Sequence, residues 1–230
     1  MAEASVPKTA GRGRFITFEG GEGSGKSTQI KTLSDRLSAA RLRAIVTREP
    51  GGSPGAEIIR HVVLSGVGKL LGAEAETLLF AAARDDHVRT VIQPALDQGL
   101  WVLCDRFSDS TRAYQGSLGK VSPAVLRAME RVTIGDLKPD LTIILDLPAE
   151  IGIKRANVRR GGGAPDRFEA EDLRFHEQLR EAYRQIASAE PERCVLIDAT
   201  PEPATVAANI WSALRDRFFA SRSGGEARPA

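Results

Sequence analysis

The sequence predicts an α/β fold, in which a five-stranded, mostly parallel sheet is flanked by helices. Five short apolar runs are spaced along the 230 residues, and amphipathic helical patterns lie between them. Runs that are apolar throughout suit strands buried on both faces, as a parallel sheet requires. A glycine-rich loop stands between the first run and the first helical pattern. The alternation therefore predicts one layered sheet whose ligand site lies at the carboxyl ends of its strands.

The five predicted strands are rich in aliphatic and β-branched residues, which favour the pleated, buried environment of a central sheet. Two of the runs contain the cysteines of the chain, Cys104 and Cys194. This placement favours buried free thiols over a disulfide. The predicted strands are residues 15–18, 44–47, 101–104, 141–147 and 194–197.

The helices are predicted from apolar residues at helical spacing. In residues 29–40, Ile30, Leu33 and Leu37 recur on one face. Ser122 followed by Pro123 marks the start of another helix, since serine caps a helix and proline suits its first position. The other predicted helices are residues 74–96, 153–160, 169–189 and 203–219.

Composition limits the classes of function. A formal net charge of +2 is too small to indicate a nucleic-acid coat or a membrane surface, and no apolar run approaches the roughly 20 residues of a membrane span. The first residues lack the apolar core of a signal peptide. We therefore expect a cytoplasmic protein with one domain over residues 14–220, a disordered leader at 1–13 and a disordered tail at 221–230.

The loop after the first strand fits the pattern G-x-x-x-x-G-K-[ST], which wraps the phosphates of a nucleoside triphosphate. Its glycines let several backbone N–H groups point at one anion, and the following helix adds its partial positive charge. Lys26 is expected to reach the β- and γ-phosphates, and the Ser27 hydroxyl to hold Mg²⁺. The predicted ATP-binding residues are Gly20, Gly21, Glu22, Gly23, Ser24, Gly25, Lys26 and Ser27.

Charged residues follow the second and third strands. Arg48 precedes a Pro-Gly turn and either holds a phosphate through two parallel N–H bonds or lies on a surface loop. Asp105 either binds magnesium-bound water or orients Arg106. An arginine at that point can lie between donor and acceptor phosphates and stabilise the transferring group, although a structural Asp-Arg pair is the simpler alternative.

Four motifs in one order make a family resemblance specific. Residues 105–116, D-R-F-S-D-S-T-R-A-Y-Q-G, resemble the signature of thymidylate kinases, as do residues 48–52, R-E-P-G-G, and 80–84, F-A-A-A-R. With the phosphate loop, the resemblance covers about residues 15–219. It implies a P-loop nucleoside monophosphate kinase fold with a short lid, transfer of phosphate from ATP to dTMP with Mg²⁺, and a homodimer.

The resemblance also assigns a base site. Phe80 and Arg84 are four residues apart and share one helix face, where a ring and a planar cation can grip a flat, neutral heterocycle. In thymidylate kinases the residues at these positions hold thymine. Thr111 and Gln115 resemble residues that complete the hydrogen bonds to the base, and Tyr114 resembles the tyrosine beneath the sugar. Arg48 and Arg106 complete the predicted dTMP site.

Glu22 is unusual because a carboxylate inside a phosphate loop repels a triphosphate. In the family, an acidic residue here binds the 3′-hydroxyl of the acceptor sugar, and a second subtype has a catalytic arginine in this loop. Since this loop has no arginine, we expect a lid at about residues 155–169, hinged at the glycines 161–163, to supply the charge. The candidates are Arg155, Arg159, Arg160 and Arg167. The residues expected to be catalytic are Lys26, Arg106, Glu22, Arg159 and Arg167, with metal ligands Ser27 and Asp105.

Two other functions share part of the pattern. Another nucleoside monophosphate kinase, for UMP, CMP or a purine nucleotide, has the loop and the lid but gives no reason for the Phe80/Arg84 and Thr111/Gln115 pairs. A GTPase-like switch carries an Asn-Lys-x-Asp motif. Residues 144–148, at the end of the fourth predicted strand, read I-L-D-L-P and do not match that motif. Activity that depends on an acceptor nucleotide would separate a kinase from a switch.

Overall fold

A five-stranded parallel sheet forms the centre of the molecule. The structure is a computed structural model that describes residues 12–66, 70–161 and 168–219. The predicted tail and residues 1–11 of the predicted leader lie outside these ranges, whereas Gly13, placed in the predicted leader, is buried and its backbone N–H donates to the Leu96 carbonyl oxygen at 2.8 Å. The strands run in the order β2-β3-β1-β4-β5, and every neighbouring pair is parallel, as predicted. They are β1 Phe15–Glu19, β2 Ala44–Arg48, β3 Trp101–Asp105, β4 Leu141–Asp146 and β5 Cys194–Asp198.

The register aligns the charged ends of the strands. Asp105 at the end of β3 pairs with Phe18 on one side and with Arg48 on the other. Asp146 likewise pairs with Asp198. The parallel topology therefore collects these side chains at one edge of the sheet, where ligands bind in folds of this class.

The prediction that all five strands are buried on both faces is wrong for the two edge strands. Strand β1, in the middle of the sheet, is buried at every position. Val46 in β2 is 54% exposed and Leu196 in β5 is 39% exposed. An edge strand has a neighbour on one side alone, so the helical layers cover its faces incompletely.

The helices pack on both faces of the sheet. Two π-helical segments interrupt them: Val88–Ile92 joins α3 to α4, and Arg112–Leu118 follows α5 directly. The α-helices are α1 Lys26–Ala39, α2 Pro54–Leu64, α3 Ala73–His87, α4 Gln93–Asp97, α5 Ser108–Thr111, α6 Pro123–Thr133, α7 Ala149–Arg160, α8 Leu173–Ala189 and α9 Pro203–Phe218.

Four helix predictions need correction at their boundaries. The helix predicted at 153–160 begins at Ala149. The helix predicted at 29–40 spans Lys26–Ala39 and so begins within the phosphate-loop motif. The helix predicted at 74–96 is α3, a π-helical segment and α4 in succession. The helix predicted at 169–189 begins only at Leu173, because the Asp172 carboxylate accepts from the Phe175 backbone N–H at 2.9 Å and caps it there.

The apolar core fills both sides of the sheet. On one side, Ile16 and Phe18 of β1 pack with Leu33 and Leu37 of α1, in a cluster that also includes α9. On the other side, Phe15 packs with residues of β3, α4 and the first π-helical segment. Cys104 and Cys194 are both buried and free, as predicted. Within the described ranges, no helix is both long and apolar enough to cross a membrane.

Candidate functional site

A cavity of about 350 Å³ opens at the carboxyl ends of β1, β2 and β3. Its walls bring together most of the described residues predicted from sequence; Gly20, Gly21 and the lid candidates Arg155 and Arg160 do not line it. Those that line it are Glu22, Gly23, Ser24, Gly25, Lys26, Ser27, Arg48, Phe80, Arg84, Asp105, Arg106, Thr111, Tyr114, Gln115 and Arg159. Five segments far apart in sequence therefore form one site.

The phosphate loop depends on glycine at particular positions. Gly25, which caps α1, has a φ of 92°, a left-handed value that side chains disfavour. At Gly23, an added Cβ would lie 2.1 Å from the carbonyl oxygen of Gly152 in α7, so glycine is needed for the loop to approach that helix. Lys26 folds back and donates to the carbonyl oxygens of Gly20 and Gly21 at 3.0 and 3.1 Å. Burial, followed by the charge of Arg106, lowers the pKa of the Lys26 ammonium.

Ser27 and Asp105 join the loop to the end of β3. The Ser27 hydroxyl donates to Asp105 Oδ2 at 3.1 Å. These are hard oxygen ligands of the kind that Mg²⁺ prefers. In the described part of the chain no cluster of three or more His, Cys, Asp or Glu side chains is arranged to hold a metal. The donor set fits Mg²⁺, which is typically held by one or two protein oxygens together with substrate phosphates.

Arg106 lies at the centre of the site in a strained backbone conformation. Its φ of 72° is in the left-handed region, which is uncommon for a residue with a side chain and recurs at functional sites. The guanidinium donates to Glu22 Oε1 at 2.8 Å, to the Gly20 carbonyl oxygen at 3.1 Å and to the Tyr183 hydroxyl at 3.1 Å. Arg106 is thus attached to the phosphate loop itself. Asp105 was expected either to bind magnesium-bound water or to orient Arg106. Its carboxylate accepts from Ser27 and makes no hydrogen bond or ion pair with the Arg106 side chain, which favours the first role.

The Glu22 carboxylate is surrounded by positive charge. Arg106 contacts it directly, and Arg159 Nη2 lies 3.9 Å from its Oε2. Burial opposes ionisation, but the charges of Arg106, Lys26 and Arg159 outweigh it and lower the pKa of Glu22. The loop carboxylate is therefore held ionised between Arg106, which directly follows β3, and Arg159 of α7.

Glu19 is a site residue that the sequence reasoning missed. Its side chain is fully buried and accepts from the Phe107 backbone N–H at 2.8 Å, the Ser110 hydroxyl at 2.7 Å and the Tyr183 hydroxyl at 3.0 Å. Burial and then the Asp109 carboxylate raise the pKa of Glu19 to about 7. These bonds fix the backbone after Arg106. The sequence does contain a signal for Glu19, because it is an acidic residue at the end of an apolar strand and directly precedes the glycine loop.

Arg84 is anchored at the wall of the cavity that was predicted to hold the base. It is 4% exposed, and its Nε donates to Glu49 Oε2 at 2.7 Å. Its Nη2 donates to the Phe107 carbonyl oxygen and to Thr111 Oγ1 at 3.1 and 3.0 Å. Among the described residues, Nη1 has no hydrogen-bond acceptor. Arg84 therefore keeps one donor for a ligand, and Glu49 is a second supporting acid that sequence reasoning missed.

Aromatic rings form the rest of this wall. The Phe80 ring is half-buried and lies 6.4 Å from the ring of Phe168, and Tyr114 meets Phe168 edge-on at 5.1 Å. The Arg106 guanidinium lies over the Tyr114 ring at 5.3 Å. Arg48 is more exposed and pairs with Glu57 at 2.8 Å. A flat apolar surface beside charged groups suits a nucleotide.

The arginines expected in the lid separate into two groups. Arg159 and Arg160 both pair with Glu169, at 3.0 and 3.1 Å, and Arg159 reaches the cavity. Arg155 instead donates to the carbonyl oxygens of Ala199 and Thr200, away from the cavity. Arg167 and most of the proposed hinge lie in residues 162–167, outside the described part of the chain.

Comparisons with known proteins identify the family of this chain. The family model described as thymidylate kinase matches residues 18–210. A thymidylate kinase of Bradyrhizobium diazoefficiens is 76% identical over 95% of this chain and 96% of its own, and one of Nitrobacter winogradskyi is 70% identical over the full length of both. The crystal structure of thymidylate kinase from Ehrlichia chaffeensis, 31% identical, superposes with a TM-score of 0.71 and covers 88% of this chain and 99% of that one. The chain belongs to the thymidylate kinase family, with a P-loop nucleoside monophosphate kinase fold.

Proposed function

We propose that the cavity is the active site at which this chain transfers the γ-phosphoryl group of ATP to dTMP, giving dTDP. The observation that carries this assignment is the meeting of two kinds of wall in one cavity. A phosphate loop with its lysine forms one side, and an arginine beside aromatic rings forms the other. The second wall suits the base of an acceptor nucleotide whose phosphate faces the loop.

On the donor side, residues 20–27 hold the phosphates of ATP through backbone N–H groups and Lys26. Ser27 and Asp105 would hold Mg²⁺, which would supply charge neutralisation at the phosphates of ATP when bound. The Lys26 ammonium, which now contacts two loop carbonyls, exchanges those acceptors for phosphate oxygens. Its burial strengthens this interaction, because charge acts more strongly away from water.

On the acceptor side, Phe80 packs on the thymine ring and Arg84 Nη1 donates to a base carbonyl. Thr111 holds Arg84 and Gln115 lies at the same wall, while Tyr114 lies beneath the sugar. Arg48 binds the phosphate of dTMP from the end of β2. The existing Arg48–Glu57 pair is exposed, so exchange of that carboxylate for a phosphate costs little.

Arg106 is proposed to act between the two phosphates. It is already attached to the Gly20 carbonyl and to Glu22, so it needs no reorganisation to stabilise charge on the transferring group. Arg159 adds charge from the lid, and Arg167 is proposed to do so as well. Glu22 balances both arginines before substrates arrive and accepts from the 3′-hydroxyl of dTMP. The lid at about 155–169 and the rest of residues 14–220 are proposed to act as one catalytic domain.

A panel of nucleoside monophosphates assayed with ATP and Mg²⁺ tests the assignment. We expect dTMP to give the highest kcat/KM and ADP formation to require an acceptor. A preference for UMP, CMP or a purine monophosphate would favour the alternative kinase. Nucleotide hydrolysis at the same rate without any acceptor would favour a switch protein instead.

A homodimer is also proposed. Apolar side chains on α2, α3 and α6 are exposed although these helices pack together, among them Ile58 at 69%, Leu78 at 56% and Val132 at 83%. Large apolar side chains exposed on helices that pack together favour an interface. Sedimentation is expected to give the mass of two chains for the wild type and of one for L78D. A wild type with the mass of one chain would contradict the proposal.

A further inference from the structure

A buried carboxylate lies directly behind the predicted base-reading residue Gln115. Glu76, in the first turn of α3, is 3% exposed, and Gln115, in the π-helical segment after α5, is 4% exposed. Gln115 Nε2 donates to Glu76 Oε1 at 3.0 Å. Gln115 also lines the cavity, so its amide has one end toward Glu76 and one end available to a ligand.

The chemistry of Glu76 determines which end is available. An ionised carboxylate only accepts hydrogen bonds, whereas a glutamine amide has a donor end and an acceptor end. In the structure the Gln115 nitrogen faces Glu76 Oε1 as the donor. Gln115 Oε1 receives no hydrogen bond from the described residues and is left as an acceptor. Rotating the amide would set two buried acceptors against each other, which is unfavourable.

This polarity matches one class of base. The imide edge of thymine or uracil presents a ring N–H beside a carbonyl oxygen, so it offers a donor for Gln115 Oε1 and an acceptor for Arg84 Nη1. Cytosine has an unprotonated ring nitrogen at the same place, which would meet Gln115 Oε1 as a second acceptor. The polarity of the amide thus separates bases of nearly equal shape.

We propose that Glu76 is a specificity-positioning residue, which selects bases that carry a ring N–H by fixing the Gln115 amide as an acceptor. The inference rests on the proposed function, because Gln115 reads a base only if the cavity holds the acceptor nucleotide. Glu76 touches no reacting atom, and its effect therefore lies in base discrimination rather than in the rate of transfer.

The experiment uses E76Q in the full-length enzyme, with E74Q as the matched control. Glu74 lies in the same first turn of α3 and is exposed, so its variant loses the same charge without touching Gln115. The probes are dTMP and 5-methyl-dCMP, which keep the same methyl group. The measured quantity is the ratio of the inhibition constant of 5-methyl-dCMP to the KM of dTMP. Arg84 is unchanged in all variants, so its contribution to this ratio cancels when the variants are compared.

In E76Q, the new amide can accept from or donate to Gln115, so both orientations of Gln115 become accessible. We expect the ratio to fall by about tenfold or more, while E74Q keeps it within about twofold. The exchanged pair E76Q/Q115E is expected to restore discrimination, because a carboxylate at 115 offers acceptors alone. If E76Q folds poorly, the double variant still tests the inference, because it keeps one amide and one carboxylate in the buried pair and the same ratio is measured.

Two results would overturn the inference. If the wild type prefers dTMP and E76Q keeps its ratio, Glu76 does not control base choice, although the proposed function still holds. If the wild type shows no preference for dTMP over 5-methyl-dCMP or other monophosphates, the proposed function itself fails, and the inference fails with it.

Discussion

Replacement of Glu19 by glutamine is expected to remove a pH dependence of folding stability. Glu19 is fully buried beside the Asp109 carboxylate, and its pKa is raised from 4.5 to about 7. In E19Q, the side-chain oxygen still accepts from the Phe107 backbone N–H. The amide nitrogen faces the hydroxyls of Ser110 and Tyr183, which can turn to accept. The variant therefore keeps the shape and bonding of the site but does not titrate.

The sign follows from proton uptake in the two states. Below pH 4.5, Glu19 is protonated in both the folded and the unfolded chain. Between 4.5 and about 7, the unfolded chain releases the proton and the folded chain retains it, so the free energy of unfolding falls as pH rises. Above that window the contribution is constant. At about 1.4 kcal/mol per pKa unit, the wild type loses roughly 3 kcal/mol that E19Q does not lose.

Urea denaturation at pH 5, 6, 7 and 8 measures this difference. The free energy of unfolding of E19Q minus that of the wild type is expected to rise from pH 5 to pH 7 and then level off. Titration of groups that Glu19 does not influence cancels in this difference. E177Q, at an exposed position on α8, is the matched control and should follow the wild type. Parallel curves for E19Q and the wild type would refute the reasoning that Glu19 takes up a proton on folding.

Three further predictions concern catalysis. R106K keeps the charge but loses the planar fork, so kcat is expected to fall at least about 100-fold in a steady-state assay; a variant within a few-fold of wild type would remove Arg106 from the transfer step. F80A is expected to raise the KM for dTMP roughly 10- to 100-fold through lost stacking and to leave that for ATP unchanged, and equal shifts in both would count against a base site there. R159A is expected to lower kcat by about tenfold or more, whereas K154A, exposed on the same helix, should not; equal rates for the two variants would exclude Arg159 as the lid cation.

The sequence predicted the parts of the site that depend on local pattern. The phosphate loop is contiguous, and Arg48 and Arg106 follow strands whose carboxyl ends meet in any parallel sheet. The buried acidic side chains that hold the site residues in place could not be predicted from local pattern. Glu19, Glu49 and Glu76 contact partners that lie far along the chain, and nothing beside them in sequence indicates which donors will face them.

The same limit applies to the fold. Five parallel strands followed from five apolar runs, but their lateral order depends on tertiary packing, so the exposed faces of β2 and β5 were not foreseen. Arg155 and Arg159 share a helix face, yet four residues advance about 6 Å along the axis. That distance is enough for Arg155 to reach the loop after β5 while Arg159 reaches the cavity.

The π-helical segment Arg112–Leu118 makes the site sensitive to chain length. A π-turn contains one residue more than an α-turn, and such segments behave as single-residue insertions in a helix. Deleting Ala113 would close the turn to α geometry and turn Tyr114 and Gln115, which lie inside the segment, by up to about 100° relative to α5, while residues beyond the segment keep their phase. Tyr114 and Gln115 would leave the cavity although every contacting residue is still encoded. For this stretch, a shift in length disrupts the site more than most substitutions, and the count of residues between Thr111 and Gly119 is itself a determinant of substrate recognition.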